Sequence, residues 1–247
     1  LKTGTAKITD GNLSISGEAK DSDAYSRVTT ALAGDLPAGL KLADSDITLP
    51  IASPYVWTAE KSSDGVVLSG VVPSAEAGQE AFDRAQLQFS GLKVTDEQSF
   101  AGGDPNGFAS AQSVALQTLS RLKVGRAELK DTEHTVTGET FSPELKDKLT
   151  SGVENGLPPG FTGQAVITAP ELKAVETDRC GELVSARMQG AKIQFQAAKS
   201  VIRDESFGLL DEISSIVSRC PTARLEINGH TDSDGGEAYN QRLSEAR

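Results

Sequence analysis

The feature that most constrains this chain is an internal repeat. Leu1-Lys-Thr-Gly-Thr-Ala-Lys-Ile-Thr-Asp10 returns as Leu122-Lys-Val-Gly-Arg-Ala-Glu-Leu-Lys-Asp131, an offset of 121 positions. At the same offset Gly17-Glu18 meets Gly138-Glu139, and Leu36-Pro-Ala-Gly-Leu40 meets Leu157-Pro-Pro-Gly-Phe161. Ile47-Thr-Leu-Pro50 meets Ile167-Thr-Ala-Pro170 after a slip of one residue. Ordered matches of this kind mean copies of one supersecondary unit. A unit of about 50 residues buries little core alone, so the copies must pack on one another or on something else.

Each copy has the same local grammar. Residues 6–9 and 13–17 alternate as two strands around Asp10-Gly11, a strong hairpin signal. Asp21 or Ser22 caps a helix carrying Tyr25, Val28, Leu32 and Leu36, Leu-Pro-x-Gly stops it, and residues 47–49 return as a strand. In the later copy the strands lie near 126–129, 135–138 and 164–168, and the helix spans 142–154 with Pro143 in its first turn. A third, more diverged unit lies between them. It has strands at 56–60 and 66–71 around Asp64-Gly65, a helix over 74–86 and a strand at 92–95. A loop over 101–108 and a periodic helix over 110–122 complete it. The expected class is α+β: helices on one face of mixed sheets, forming one composite layer. The expected units are 1–52, 53–121 and 122–171, followed after a short linker by a region over 177–247.

That last region predicts a helix over 177–188 bearing Cys180, then a strand over 192–196 with Ile193 and Phe195 inward. A helix running to Arg219 follows, with Phe207, Leu210, Ile213 and Val217 on its core face. The closing stretch, Leu225 to Arg247, reads as strand, polar loop and helix. Leu225 and Ile227 alternate with Glu226 and Asn228, and Gly229 ends the strand. Residues 232–236 are turn-rich with candidate N-caps. Tyr239, Leu243 and Ala246 share one helical face, and Asn240, Ser244 and Arg247 share the neighbouring stripe. An acidic, amide-rich loop therefore faces a stripe ending in a guanidinium. This pairing suits a small zwitterion, with a carboxylate for its ammonium and a planar fork for its carboxylate.

Composition narrows the function classes. The net charge of −11 opposes nucleic acid and simple docking on anionic lipid. No apolar run approaches the roughly 18 residues of a membrane-spanning helix. Two histidines and two cysteines without C-x-x-C spacing give no zinc signature, and the acidic loop lacks EF-hand spacing. No cofactor motif and no serine or cysteine nucleophile signature is present, so the chain reads as non-catalytic. On the residues alone, Cys180 and Cys220 fit either two buried thiols or one disulfide. His134, at a hairpin, is expected to be exposed.

Two resemblances add to this reading. Gly229-His-Thr-Asp232 followed by Asn240-x-Arg242-Leu-Ser-x-Ala-Arg247 resembles the signature of the OmpA-like peptidoglycan-binding domain. The resemblance implies non-covalent binding of peptidoglycan through the diaminopimelate of its stem peptide. Asp232 would hold the ammonium and Arg247 the carboxylate, with Asn240 and Thr231 as supporting polar positions and His230 as part of the surrounding fold. It also implies a partial β-α-β-α domain over 177–247 and a periplasmic or outer-membrane setting. In that oxidising compartment Cys180 and Cys220 would pair, closing a loop of about 40 residues and contributing roughly 4 kcal/mol. The repeating unit, and Gly65-Val-Val-Leu-Ser-Gly-Val-Val72 before the Ser74 cap above all, resembles the BON module. That family's association with envelope contacts implies an alternative, in which the repeats are a membrane-surface or protein-interaction module and the C-terminal region is the anchor.

Two departures accompany the first resemblance. The family commonly carries an aspartate after the phenylalanine of its first strand, whereas Phe195 is followed by Gln196. Family domains also continue beyond the arginine matched by Arg247. Residues 177–247 are therefore expected to be the first part of such a domain, and Leu1 to follow a targeting segment upstream.

Overall fold

The computed structural model describes residues 1–34, 36–224, 226–231 and 236–247, leaving aside the side chains of Thr177 and Asp178. Its strands are β1 (Thr3–Thr9), β2 (Asn12–Glu18), β3 (Lys41–Thr48), β4 (Val56–Lys61), β5 (Val66–Val72), β6 (Val94–Phe100), β7 (Val124–Lys130), β8 (Glu133–Glu139) and β9 (Thr162–Thr168). Its helices are α1 (Ser22–Ala33), α2 (Ala75–Gln88), α3 (Phe108–Ser120), α4 (Pro143–Asn155), α5 (Thr177–Met188), α6 (Phe207–Ser218) and α7 (Glu237–Ala246).

The three units are repeats in space as well as in sequence. In each, an antiparallel hairpin is followed by a helix and a strand that returns parallel to the hairpin's second strand. Their helices are capped alike, by Asp21, Ser74 and Ser142, each side chain accepting an N–H from the first turn. Fine contacts recur at the repeat offset. Gly4 lies opposite Gly17 and Gly125 opposite Gly138. A methyl on Gly4 would come within 2.6 Å of the Ser16 carbonyl, and one on Gly125 within 2.5 Å of the Thr137 carbonyl. Leu1 and Leu122 each reach over their own glycine pair. Lys2–Glu18 and Lys123–Glu139 are matching ion pairs at 3.2 and 3.1 Å. Thr48, Ser99 and Thr168 each donate a hydroxyl to the carbonyl of Gly17, Gly70 or Gly138.

The single composite layer is corrected to two sheets. Units two and three merge into six strands in the order β6-β5-β4-β7-β8-β9, while unit one forms its own sheet, β1-β2-β3. In the merged sheet one face carries Trp57, Ala59, Val66, Leu68, Ala127, Leu129 and Val136, all fully buried beneath α2, α3 and α4. The other face is polar, with Arg126 between Glu60 and Glu128. Helix α3, the last element of the second unit, follows its returning strand and lies over the β4–β7 seam, burying Ala111, Ala115, Leu116 and Leu119. Burying a side chain of leucine size stabilises by roughly 1.5–3 kcal/mol, so this helix joins the two units. Unit one has no such helix, and only Ala19 and Ala24 are buried among its described residues.

Several sequence expectations shift. Helix α1 ends at Ala33 with Gly34 at its C-cap, so Leu36 lies outside it. Strands β3 and β6 are longer than the short returns expected at 47–49 and 92–95, because pairing along the whole neighbouring strand extends them. Residues 192–196 form no strand, only a bridge between Phe195 and Ile202. Residues 226–231 are likewise not a strand, and Ile227 is 88% exposed. A strand needs an edge to pair with, and no described residue offers one there.

His134 is the sharpest correction. It sits in β8 opposite Leu129, fully buried, with neither ring nitrogen hydrogen-bonded among the described residues. Strand alternation, not the nearby turn, decides its side, and the matching residue of unit one is Leu13. Burial pushes the imidazole from 6.5 down to about 4. The unfolded chain therefore takes up the proton first. Stability is full above about pH 6.5 and falls as pH drops towards 4, by on the order of 2–3 kcal/mol across that window. His134→Leu should flatten this stretch of the pH profile and raise stability at pH 5, measured by urea unfolding.

Candidate functional site

The C-terminal region is attached to the repeats through α6. Arg121, at the end of α3, makes a two-pronged ion pair with Asp211 at 2.6 and 3.0 Å and lies over the Phe207 ring at 5.6 Å. Ser215 donates to the Phe141 carbonyl at 2.7 Å, and Arg187 on α5 pairs with Glu212. Gly208 lies so near the Ser120 carbonyl that an added methyl would come within 2.6 Å of it. Cys180 on α5 and Cys220 after α6 form the expected disulfide, with Cα atoms 6.3 Å apart, and α5 is thereby tied to α6. A cleft of about 520 Å³ lies along this junction. At its wall Lys61 donates to the Ser120 and Leu122 carbonyls at the end of α3 and lies 5.7 Å from the Phe89 ring. Burial lowers its ammonium to about 8, with Glu212 opposing the shift and Arg187 adding to it. Lys61 was missed in the sequence although it continues the inward parity of Trp57 and Ala59.

Arg247 organises the predicted site. Its guanidinium stacks 5.1 Å from the Phe195 ring, donates Nε–H to the Lys199 carbonyl at 3.2 Å and Nη1–H to the His230 carbonyl at 2.9 Å. One side chain thus joins α7, the turn over 195–202 and the segment before the polar loop. The Tyr239 hydroxyl adds a second tie, donating to the Ala198 carbonyl at 3.3 Å. Gly229 permits the close approach: a Cβ there would run into the Ser244 carbonyl of α7.

Thr231 and Asn240 come together, with Gly229, Glu237 and Ser244, around an open cleft of about 450 Å³. Arg247 lies beside it, its Cβ close to Gly229. Gln196 is exposed and accepts from Lys199 Nζ at 3.3 Å, so it lies on the turn that Arg247 stacks against. His230 contributes its backbone carbonyl to Arg247. Asp232 lies outside the described residues, as do Leu225 and residues 233–235, among them the candidate caps Ser233 and Asp234. Among the described residues, helix α7 begins after Gly236 without a side-chain cap bond. The Phe195–Arg247 stack and the carbonyl contacts escaped the sequence reading, because they join positions far apart in the chain and the carbonyl acceptors are all backbone.

Residues 194–247 match the OmpA family. Outer membrane porin F of Pseudomonas fluorescens is 38% identical over 55 residues, covering 22% of this chain and 17% of that protein. Peptidoglycan-binding protein ArfA of Mycobacterium tuberculosis (strain ATCC 25618 / H37Rv) is 29% identical over 149 residues, covering 57% of this chain and 44% of its own length. The chain therefore spans less than half of either relative. The second similarity is longer than residues 194–247 alone supply, so it includes part of the preceding region. Among solved structures, the C-terminal domain of CdsD, a structural protein of the type III secretion system of Chlamydia trachomatis, covers 67% of this chain and 88% of that one at 14% identity. Its TM-score is 0.20.

Gly229→Ala should push α7 away and weaken the Arg247 contacts. Amide exchange in residues 237–246 should quicken at least tenfold while exchange in the β4–β7 core stays unchanged, a comparison read by mass spectrometry.

Proposed function

We propose that this chain is the wall-binding part of a cell-envelope protein, holding peptidoglycan non-covalently through the diaminopimelate of the stem peptide. The supporting observation is the OmpA match over 194–247 together with the placement of Arg247 beside the cleft that Thr231 and Asn240 line. ArfA, by its name a peptidoglycan-binding protein, supports the same polymer as ligand.

In this reading Arg247 takes the diaminopimelate carboxylate and Asp232 takes its ammonium. Each Nη of a guanidinium carries two N–H groups, so the end-on fork can accept a carboxylate while Nη1 keeps its bond to His230. Stacking on Phe195 fixes the plane of the fork before ligand arrives, which reduces the entropy lost on binding. Thr231 and Asn240 orient the zwitterion. The reading is of binding without catalysis, and needs no cofactor or metal. The repeats, proposed as units 1–52, 53–121 and 122–171, form the scaffold that carries residues 177–247 towards the wall, in the periplasm or at the outer membrane.

A charge-assisted contact contributes about 1.5–3 kcal/mol, or ten- to hundredfold in affinity. Asp232→Ala and Arg247→Ala should each reduce co-sedimentation with purified sacculi by at least tenfold, with the unfolding midpoint of the repeats unchanged. Equal retention of wild type and both variants would overturn the assigned site. Retention on sacculi whose stem peptides carry lysine in place of diaminopimelate would overturn the ligand.

A further inference from the structure

Among the described residues, strand β1 is one of the two outer strands of the first sheet, and it is exposed along its whole length. Its counterpart β7 is not an outer strand, because β4 pairs with it antiparallel and places Ala59 opposite Ala127. Hairpin registers show which residues correspond. Ala6 faces Ile15, Ala59 faces Leu68 and Ala127 faces Val136. Ala6 and Ile15 stand at the repeat offset from Ala127 and Val136, so the three alanines are equivalent. The β4–β7 seam is thus a pairing of two equivalent first strands about a local two-fold axis through Ala59 and Ala127. Within this molecule, the first strand of one unit takes the first strand of another as its partner.

Strand β1 has the features that pairing needs. The Asp131 N–H donates to the Tyr55 carbonyl at 2.8 Å, so residues of β7 in phase with it direct their N–H and C=O groups at β4. At the repeat offset Ile8, Ala6 and Gly4 share that phase, and their backbone groups point to the open edge. The side chains of Ala6, Ile8, Leu13 and Ile15 lie on the face whose counterparts Ala127, Leu129, His134 and Val136 are fully buried. Ile8 is 60% exposed. An unpaired strand edge with apolar residues on one face is a template for another strand.

We propose that β1 is a homotypic docking edge: two copies of this chain pair β1 against β1, antiparallel, with Ala6 of one copy opposite Ala6 of the other. The two-fold register then sets every contact. Ile8 falls opposite Gly4 of the second copy, twice over, so a large side chain meets a glycine over which Leu1 reaches. The same complementarity places Lys61 opposite Gly125 in the β4–β7 seam. Lys7 falls opposite Thr5 and Thr9 opposite Thr3, so no like charges face one another across the seam. The product is a six-stranded sheet built by the rule that built the merged one. The occupant follows from this register: the strand that fits β1 is an equivalent first strand, and every copy of the chain presents one. Pairing also gives one particle two C-terminal regions, which raises avidity for a polymer.

Three measurements on the full 247-residue chain decide the matter. Light scattering should give twice the monomer mass at tens of micromolar. Ala6→Pro removes an N–H that faces the open edge and leaves those of Thr5 and Lys7 to β2. It should weaken dimerisation at least tenfold with an unchanged far-UV dichroism spectrum. Ala6→Cys should give a covalent dimer on mild oxidation, since opposed residues of this kind lie about 5.5 Å apart between Cα atoms. A monomer at every concentration overturns the proposal. So does a dimer that Ala6→Pro leaves intact, or one in which Ala6→Cys does not cross-link. If Ala6→Pro changes the dichroism spectrum, the cross-link alone decides.

Discussion

The antiparallel pairing of β4 with β7 is the interaction on which the rest of this structure depends. It joins two repeats into one sheet and creates a continuous apolar face wide enough for three helices. Helix α3 lies over that seam because it is the linking segment between the paired units. Its burial at the seam orients the whole merged layer. Without the pairing, each unit would resemble the first one, whose three-stranded sheet leaves nearly all its side chains at least partly accessible. A small sheet with one helix removes too little apolar surface from water to hold itself firmly, whereas two units that share a helix remove much more.

The end of α3 is also the point from which the C-terminal region is held. Lys61 accepts the role of a terminal cap there, its ammonium satisfying carbonyls that have no helical donor. Next to it Arg121 reaches across to Asp211. This pair is only partly exposed and two-pronged, so it carries more geometric information than a surface ion pair. The disulfide then fastens α5 to α6. Beyond α6 the character changes. Helix α7 is held by one stacked guanidinium, a tyrosine hydroxyl and a close glycine, with no buried side chain of its own. Among the described residues, the predicted binding stripe is therefore tethered by directional contacts.

Much of the local structure was legible in order along the chain. The hairpin turn at Asp10-Gly11, the Ser74 and Ser142 caps and Pro143 in the first turn are local signals, and each element forms where they stand. The matched cysteines were legible only through the setting that the C-terminal resemblance implied. His134 was misread because a turn two residues away suggested the surface. Its side was decided by strand parity, and its burial by the helices laid across that face. The strands expected at 192–196 and 225–228 have the right alternation, but alternation does not supply a partner edge.

By itself, the sequence determined the repeat, the hairpin-helix-strand grammar of each copy, and the helical stripe of Asn240, Ser244 and Arg247. These follow from short-range physics: φ preferences at glycine and proline, side-chain capping, and helical or strand periodicity. Only the tertiary structure decided that two repeats merge while the first keeps its own sheet, that His134 is buried without a hydrogen-bond partner among the described residues, and that Arg247 rests on Phe195 and two carbonyls. Those outcomes rest on pairing between distant strands and on backbone acceptors. Neither leaves a mark in residue type.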